Sequence, residues 1–166
     1  MKEKVVLGIG SNLGRRLLNL KKAIELISES GDFNLLGVSG VYETEPWGYK
    51  KQNKFLNCSA AGFYRASPDK LFKMIKSIEK KLGRKKRKRW HSREIDIDIL
   101  FFGSRIIKRG NIEIPHPQIQ NRKFVLKPLL DLMPDYNHPL LKKKIRYLYR
   151  QTKDRGEVKL YKQQMY

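Results

Sequence analysis

Residues Arg93–Phe102 read REIDIDILFF. From Glu94 to Ile99 acidic and apolar residues alternate strictly, the period of a β-strand with one buried face. Side chains of a strand point alternately to its two faces. Glu94, Asp96 and Asp98 therefore share one face, while Ile95, Ile97, Ile99 and Phe101 share the other and belong to a core. After Asp98 the acidic face turns apolar with Leu100 and Phe102, so the carboxylates are confined to the strand's beginning. Like charges on one face repel, and Asp is depleted in strands. Carboxylates two residues apart, about 6.6–7 Å along a strand, can converge on a hard cation such as Mg2+ together with substrate oxygens. An exposed sheet face paired with lysines is the competing explanation.

Upstream lies a run of six basic residues, Arg84–Arg89, followed by Trp90. Taken alone, such a run is a solvated charge cluster or a nucleic-acid patch with an aromatic for stacking. Its position at the entrance to an acidic strand also suits a polyphosphate, with metal on some oxygens and guanidinium groups on others.

The remaining chain supplies a frame. KVVLGIG (4–10) reads as a buried strand, with Ser11 and Asn12 as candidate helix N-caps. Leu13, Leu17, Leu20, Ile24 and Ile27 form one helical face that ends near Gly31. A strand over 34–44, a turn-rich loop over 45–55 and a strand over 55–64 follow. Ser67, Pro68 and Asp69 open a second helix, which Gly83 closes. Residues 111–135 begin extended, turn at Pro115 and Pro117 and continue as a short helix; 139–152 suit a last amphipathic helix, and the tail is basic. The order β-α-β-β-α-β predicts an α+β fold of ferredoxin-like type. Its helices pack on one face of a mostly antiparallel sheet, with helical additions at the C-terminus.

With 166 residues the chain suits one domain, 1–166. Its 37 Lys and Arg against 16 Asp and Glu give +21, a field that attracts anions without choosing among them. The single cysteine, Cys58, excludes a disulfide framework and reads as a small core residue. The three histidines lack zinc-motif spacing, and the glycines of GIGSNLG form neither a dinucleotide fingerprint nor a P-loop. No stretch has the length of a membrane span or the pattern of a signal peptide, which predicts a cytoplasmic protein.

Four stretches, GIGSNLG, YETEPWG with FLN, REIDIDIL and IPHPQIQNRKFVLKPL, stand in an order and spacing that resemble the 6-hydroxymethyl-7,8-dihydropterin pyrophosphokinases of folate biosynthesis. The resemblance covers residues 4 to about 135. It implies transfer of the β,γ-pyrophosphoryl group of ATP to the pterin hydroxymethyl oxygen, with release of AMP, a ferredoxin-like fold and two Mg2+ ions. It makes Asp96 and Asp98 the metal ligands. On the pterin it places Phe124, Trp47 or Phe55, Trp90 and Asn57, with main-chain contacts from Thr44 and Glu45. On ATP it places Glu79, Arg84, Arg87, Arg93, Ile99, His116 and Arg122. Arg84 and Arg93 are the catalytic cations beside the two aspartates. Two departures stand out: the stretch from Gly83 to Trp90 is one residue short, so Lys86 or Arg87 takes the second loop arginine's place, and WHSR replaces the usual WGPR. The expected partners are ATP and the pterin, with no membrane and no obligatory nucleic acid, and a monomer is favoured over a dimer.

Two other readings compete. RNA-recognition modules share the β-α-β-β-α-β order and suit a basic protein, but no stretch carries their aromatic signature, and carboxylates repel a phosphate backbone. An inactive relative with a scaffold role would have no need of the paired aspartates.

Overall fold

The computed structural model describes residues 2–47, 51–85 and 91–165. Strand β1 (Glu3–Ser11) lies between β4 (Phe55–Tyr64) and β5 (Asp96–Phe102), antiparallel to both. Beyond β4 the next position is shared. Strand β2 (Phe33–Val38) pairs with the second half of β4, and β3 (Val41–Thr44) pairs with its first three residues. The single strand expected over 34–44 is thus two, separated at Ser39 and Gly40. The order β5-β1-β4-β2 is that of a ferredoxin-like sheet, and β3 extends it to β8 (Val158–Lys162).

Helices α1 (Arg16–Ser28) and α2 (Pro68–Lys81) cover one face. Leu20, Ile24 and Ile27 of α1 and Leu71, Ile75 and Ile78 of α2 pack there against Val5, Leu7, Ile9, Ile95, Ile97 and Ile99. The α2 signature behaves as read: Ser67 accepts the Lys70 N–H, Pro68 is the first helical residue, and Gly83 follows with positive φ. The expected capping at α1 is not found. Its N-cap is Arg15 without a side-chain bond, because the chain takes a further turn, through Gly14 at φ 67°, before the helix begins.

The opposite sheet face is also covered, which corrects the one-faced arrangement. Helices α3 (Lys123–Leu132) and α4 (Ile145–Gln151) bury Leu126, Leu129, Ile145 and Leu148 against Val6, Ala61, Leu100 and Phe101. The helix expected over 139–152 is only the seven residues of α4. A small hairpin of β6 (Ile107–Arg109) and β7 (Ile112–Ile114) precedes α3. The tail, read only as basic, returns as β8 and ends with Met165 buried in the first core.

β5 departs from strict alternation. Val6 pairs with Phe101 but Leu7 pairs with Ile99, so Leu100 is an extra residue in a bulge. The phase flips there. Phe102, not Phe101, joins the isoleucine face, while Leu100 and Phe101 both enter the second core. A period-two reading cannot carry past such an insertion. Deleting Leu100 should regularise the strand, leaving Phe101 opposite Val6 and Phe102 opposite Val5 on their present faces, so the variant should keep a cooperative thermal transition with Tm lowered only by the lost burial of Leu100. Loss of the cooperative transition in that variant would contradict the bulge.

Candidate active site

The cleft lies on the sheet face that carries α3 and α4, beside the point where that layer ends. Its floor follows from register. Asp96 of β5, Gly10 of β1 and Asn57 of β4 form one row across three strands, and Asp98, Gly8 and Ser59 form the next. Strands are about 4.8 Å apart, so the carboxylate column and the amide column stand roughly 10 Å from each other. Between them β1 presents no side chain. A Cβ on Gly10 would meet Asn57 Oδ1 at 3.0 Å, and one on Gly8 would meet Leu100 at 3.3 Å.

On one side of this floor stand Thr44, Glu45, Trp47, Phe55, Asn57 and Phe124. Trp47 and Phe124 face each other with ring centroids 6.3 Å apart and planes tilted by 55°. Asn57 Nδ2 donates to Thr44 Oγ1 at 2.7 Å, which fixes the amide. Phe124 is held through α3. Tyr42 donates to the Asp131 carboxylate at 2.8 Å, and Gly40 N–H donates to the same group at 3.0 Å. Burial, reinforced by Asp131, keeps the Tyr42 phenol protonated far above its ordinary range.

On the other side stand Arg93, Asp96, Asp98, His116 and Arg122. Asp96 is gripped by two guanidinium groups. Arg84 Nη1 lies 3.0 Å from Oδ1, and Arg93 Nη1 donates to Oδ2 at 2.8 Å. Among the described residues Asp98 has no such clamp, and its pKa rises to about 7. Burial is the main cause and the Asp96 charge the next; Lys76 and Arg122 offset part of the rise. His116 is lowered to about 4 by burial and by Arg122, so its imidazole is neutral at pH 7. Its Nδ1 accepts the Gln118 N–H at 3.2 Å, which leaves the proton on Nε2 as a donor.

Two expected nucleotide residues stand back from the cleft wall. Ile99 is 8 % exposed and its side chain packs in the first core. Glu79, only 2 % exposed, lies beneath the site. It accepts the Ile97 N–H at 2.9 Å and pairs with Arg84 and with Lys76, the latter at 2.9 Å. Arg87 and Trp90, together with Lys86, lie outside the described residues. Gly8, Gly10, His91 and Val125 line the cleft without having been singled out individually. The alternation of glycine on β1 was the available signal, since Gly8 and Gly10 share the face opposite Leu7 and Ile9.

A carboxylate pair that repels itself, ringed by cations, is suited to a divalent ion. Mg2+ is commonly held by one or two carboxylates with the remaining positions filled by phosphate oxygens and water. Among the described residues no cluster of three or more ligand-type side chains exists.

Comparison with known proteins agrees with this geometry. The family model described as 7,8-dihydro-6-hydroxymethylpterin-pyrophosphokinase matches residues 6–134. A 2-amino-4-hydroxy-6-hydroxymethyldihydropteridine pyrophosphokinase from Aquifex aeolicus is 39% identical over 142 residues, covering 86% of this chain and 88% of that one. A folate synthesis bifunctional protein from Arabidopsis thaliana is 40% identical over 132 residues, 79% of this chain but only 27% of its own length. Among solved structures, wild-type Plasmodium falciparum HPPK-DHPS with pteroate superposes with a TM-score of 0.74 at 18% identity, over 91% of this chain and 42% of that one, a likeness of fold. With three quarters of its length matched by the family model and a relative of similar size at this identity, the chain belongs to the 7,8-dihydro-6-hydroxymethylpterin pyrophosphokinase family.

Proposed function

We propose that the cleft carries out its family's reaction, transfer of pyrophosphate from ATP to 6-hydroxymethyl-7,8-dihydropterin, and that its two halves divide the substrates between them. The observation that carries this division is the row Asp96–Gly10–Asn57. It sets a carboxylate site for a metal-bound polyphosphate beside an amide and aromatic slot, with bare backbone between. The pterin ring lies between Trp47 and Phe124, with Phe55 beneath, Asn57 at its polar edge and Thr44 and Glu45 offering main-chain groups. The hydroxymethyl group then points over Gly10 toward the aspartates.

Asp96 and Asp98 hold Mg2+, two ions in the full complex. Bound there, Mg2+ neutralises phosphate charge and lowers the pKa of the attacking hydroxyl. The hydroxyl oxygen bonds to the β-phosphorus as the bridge between the α- and β-phosphates breaks; AMP leaves, and the hydroxyl proton passes to solvent. No residue becomes a covalent nucleophile. The chain supplies in-line placement of the hydroxyl and stabilisation of charge developing toward AMP. Arg84 and Arg93 perform the second task. Both pair with Asp96, which would hold their guanidinium groups within reach of phosphate oxygens. Arg122 adds charge, and neutral His116 donates from Nε2. Glu79 sets the height of Arg84, Ile99 supports the adenine side from the core, and Arg87 and Trp90 belong to the segment that completes the site.

The 166 residues act as one pyrophosphokinase domain and a monomer, without need of nucleic acid. No helix among the described residues is long and apolar enough to cross a membrane, and we place the reaction in the cytoplasm.

Three outcomes follow from this assignment. Asp96→Asn and Asp98→Asn should each lower pterin-dependent AMP formation at saturating Mg2+ by at least about a hundredfold, the scale of losing a stabiliser of transition-state charge. Wild-type turnover in either variant would refute the metal assignment. Phe124→Ala should weaken pterin binding by roughly 5- to 100-fold in calorimetry, the range of one aromatic stacking contact. ATP affinity should stay within a factor of two, and a larger ATP effect would misplace the two halves. The third outcome concerns pH. Asp98 ionises less readily in the fold than in the unfolded chain, so its charge destabilises the metal-free protein. That cost is absent below the unfolded value of about 4 and complete above about 7. In chelator, Asp98→Asn should therefore raise Tm by several degrees at pH 8 relative to its effect at pH 5. An equal effect at both values would contradict the shift.

A further inference from the structure

Ser11 and Asn12, both fully buried, neither cap α1 nor line the cleft. We propose that Asn12 is a positioning residue whose single amide ties the pterin-side segment 51–54 to the nucleotide-side segment 91–94, so that the two halves of the cleft are set together. This rests on the division of substrates given above.

The bonding of Asn12 is complete and two-sided. Its Nδ2 donates to Gln52 Oε1 and to the Asn53 carbonyl oxygen, each at 3.0 Å. Its Oδ1 accepts the Arg93 N–H at 2.7 Å, and its own N–H donates to the Arg93 carbonyl at 3.1 Å. Gln52 Oε1 also accepts from Ser92 Oγ at 3.1 Å, which closes a direct link between the two segments. Neighbours brace the same junction. Ser11 Oγ donates to the Glu94 carbonyl at 2.6 Å, and Asn19 Nδ2, from the first turn of α1, donates to that carbonyl at 2.9 Å. Arg16 donates to the Lys54 carbonyl at 2.8 Å and to Glu43 at 2.9 Å.

The partners of Asn12 lie 40 and 81 residues away in the chain, yet each adjoins a working group. Segment 51–54 leads into Phe55. Segment 91–94 contains Arg93, whose guanidinium reaches Asp96. A buried amide with every polar atom used is costly to leave unpaired, so its partners are held closely. Displacement of either segment by about an ångström would spoil the in-line approach of hydroxyl and β-phosphorus, an error that can cost on the order of a hundredfold in rate.

The test uses the full chain and steady-state kinetics with each substrate varied. Asn12→Asp has the same shape and keeps the acceptor for Arg93 but loses both Nδ2 donors. Gln52→Leu removes the shared acceptor, whereas Gln52→Glu keeps an oxygen in its place. Asn12→Asp and Gln52→Leu should each lower kcat/KM about tenfold or more for ATP and for the pterin alike, although neither residue lines the cleft. Gln52→Glu should stay within about threefold of wild type, and the double variant Asn12→Asp/Gln52→Leu should lose no more than the worse single variant. A residue that merely stabilised the fold would lower Tm and leave kcat/KM of the folded fraction unchanged, which would overturn the proposal. So would a loss confined to one substrate, or additive losses in the double variant. If Asn12→Asp does not fold, Gln52→Leu against Gln52→Glu decides by the same criteria. Absence of turnover in the wild type would instead sink the pyrophosphokinase reading. The clasp is then judged by amide hydrogen exchange, where Gln52→Leu must deprotect 51–54 and 91–94 together, and deprotection of one segment alone refutes it.

Discussion

Everything at this site depends on the bare central strand. β1 is flanked by β4 and β5, and its cleft-facing positions beside Asn57 and Asp96 are Gly10 and, one row on, Gly8. A side chain at either place would fill the space between the carboxylate column and the aromatic slot; at Gly10 it would press on the Asn57 amide at 3.0 Å. Glycine weakens a strand interior, because it brings no side chain to pack and loses more chain entropy on ordering. β1 offsets that weakness on its other face, where Val5, Leu7 and Ile9 are buried against the α1–α2 layer. The same strand is thus a core element on one side and the floor of a cleft on the other.

The acids of a strongly basic protein are explained by the same geometry. Asp96 is tolerated because Arg84 and Arg93 neutralise it, and Arg84 is itself fixed by Glu79, a buried carboxylate that also receives the Ile97 N–H and Lys76. Glu79 is therefore an organiser of cations beneath the cleft, not a surface charge on the edge of α2. For Asp98, among the described residues, the charges of Lys76 and Arg122 offset part of the effect of burial and its neighbour. One aspartate is consequently satisfied by its guanidinium partners, while burial and the neighbouring charge oppose ionisation of the other.

Much of this was legible in the chain. Alternation located the acids and the isoleucine face, the Ser67-Pro68-Asp69 run located α2, and the family resemblance pointed to the other cleft residues. What escaped reading has common causes. The Leu100 bulge inserts one residue without any local composition signal, so Phe101 and Phe102 exchange faces. β8 is a five-residue basic segment whose strand state comes from pairing with β3, a tertiary event with no periodic signature. Ser11 and Asn12 carry a helix-cap composition, yet their partners lie on segments remote in sequence, and local propensity cannot see them. The two C-terminal helices were expected, but not that they cover the opposite sheet face, because that face is mixed. Val6, Ala61 and Phe101 make it apolar at one end, while Gly8, Gly10, Asp96 and Asp98 leave it polar and open at the other.

That mixed face is the point at which fold and function meet. Had the apolar end continued, α3 would cover the whole sheet and no cleft would exist; had the polar end continued, α3 would have nothing to bury. The boundary falls at Leu100, which alternation puts on the face of Asp96 and Asp98, which joins the second core and which also lines the cleft. Phe124 sits at the start of α3, above that boundary, and is steadied from β3 through Tyr42, Gly40 and Asp131. The aromatic wall and the carboxylate floor are therefore positioned by one packing edge. Alternation brings the charged beginning of REIDIDILFF and the core-forming Leu100 onto one face of a single strand, and the bulge adds Phe101 to that apolar end while returning Phe102 to the isoleucine side.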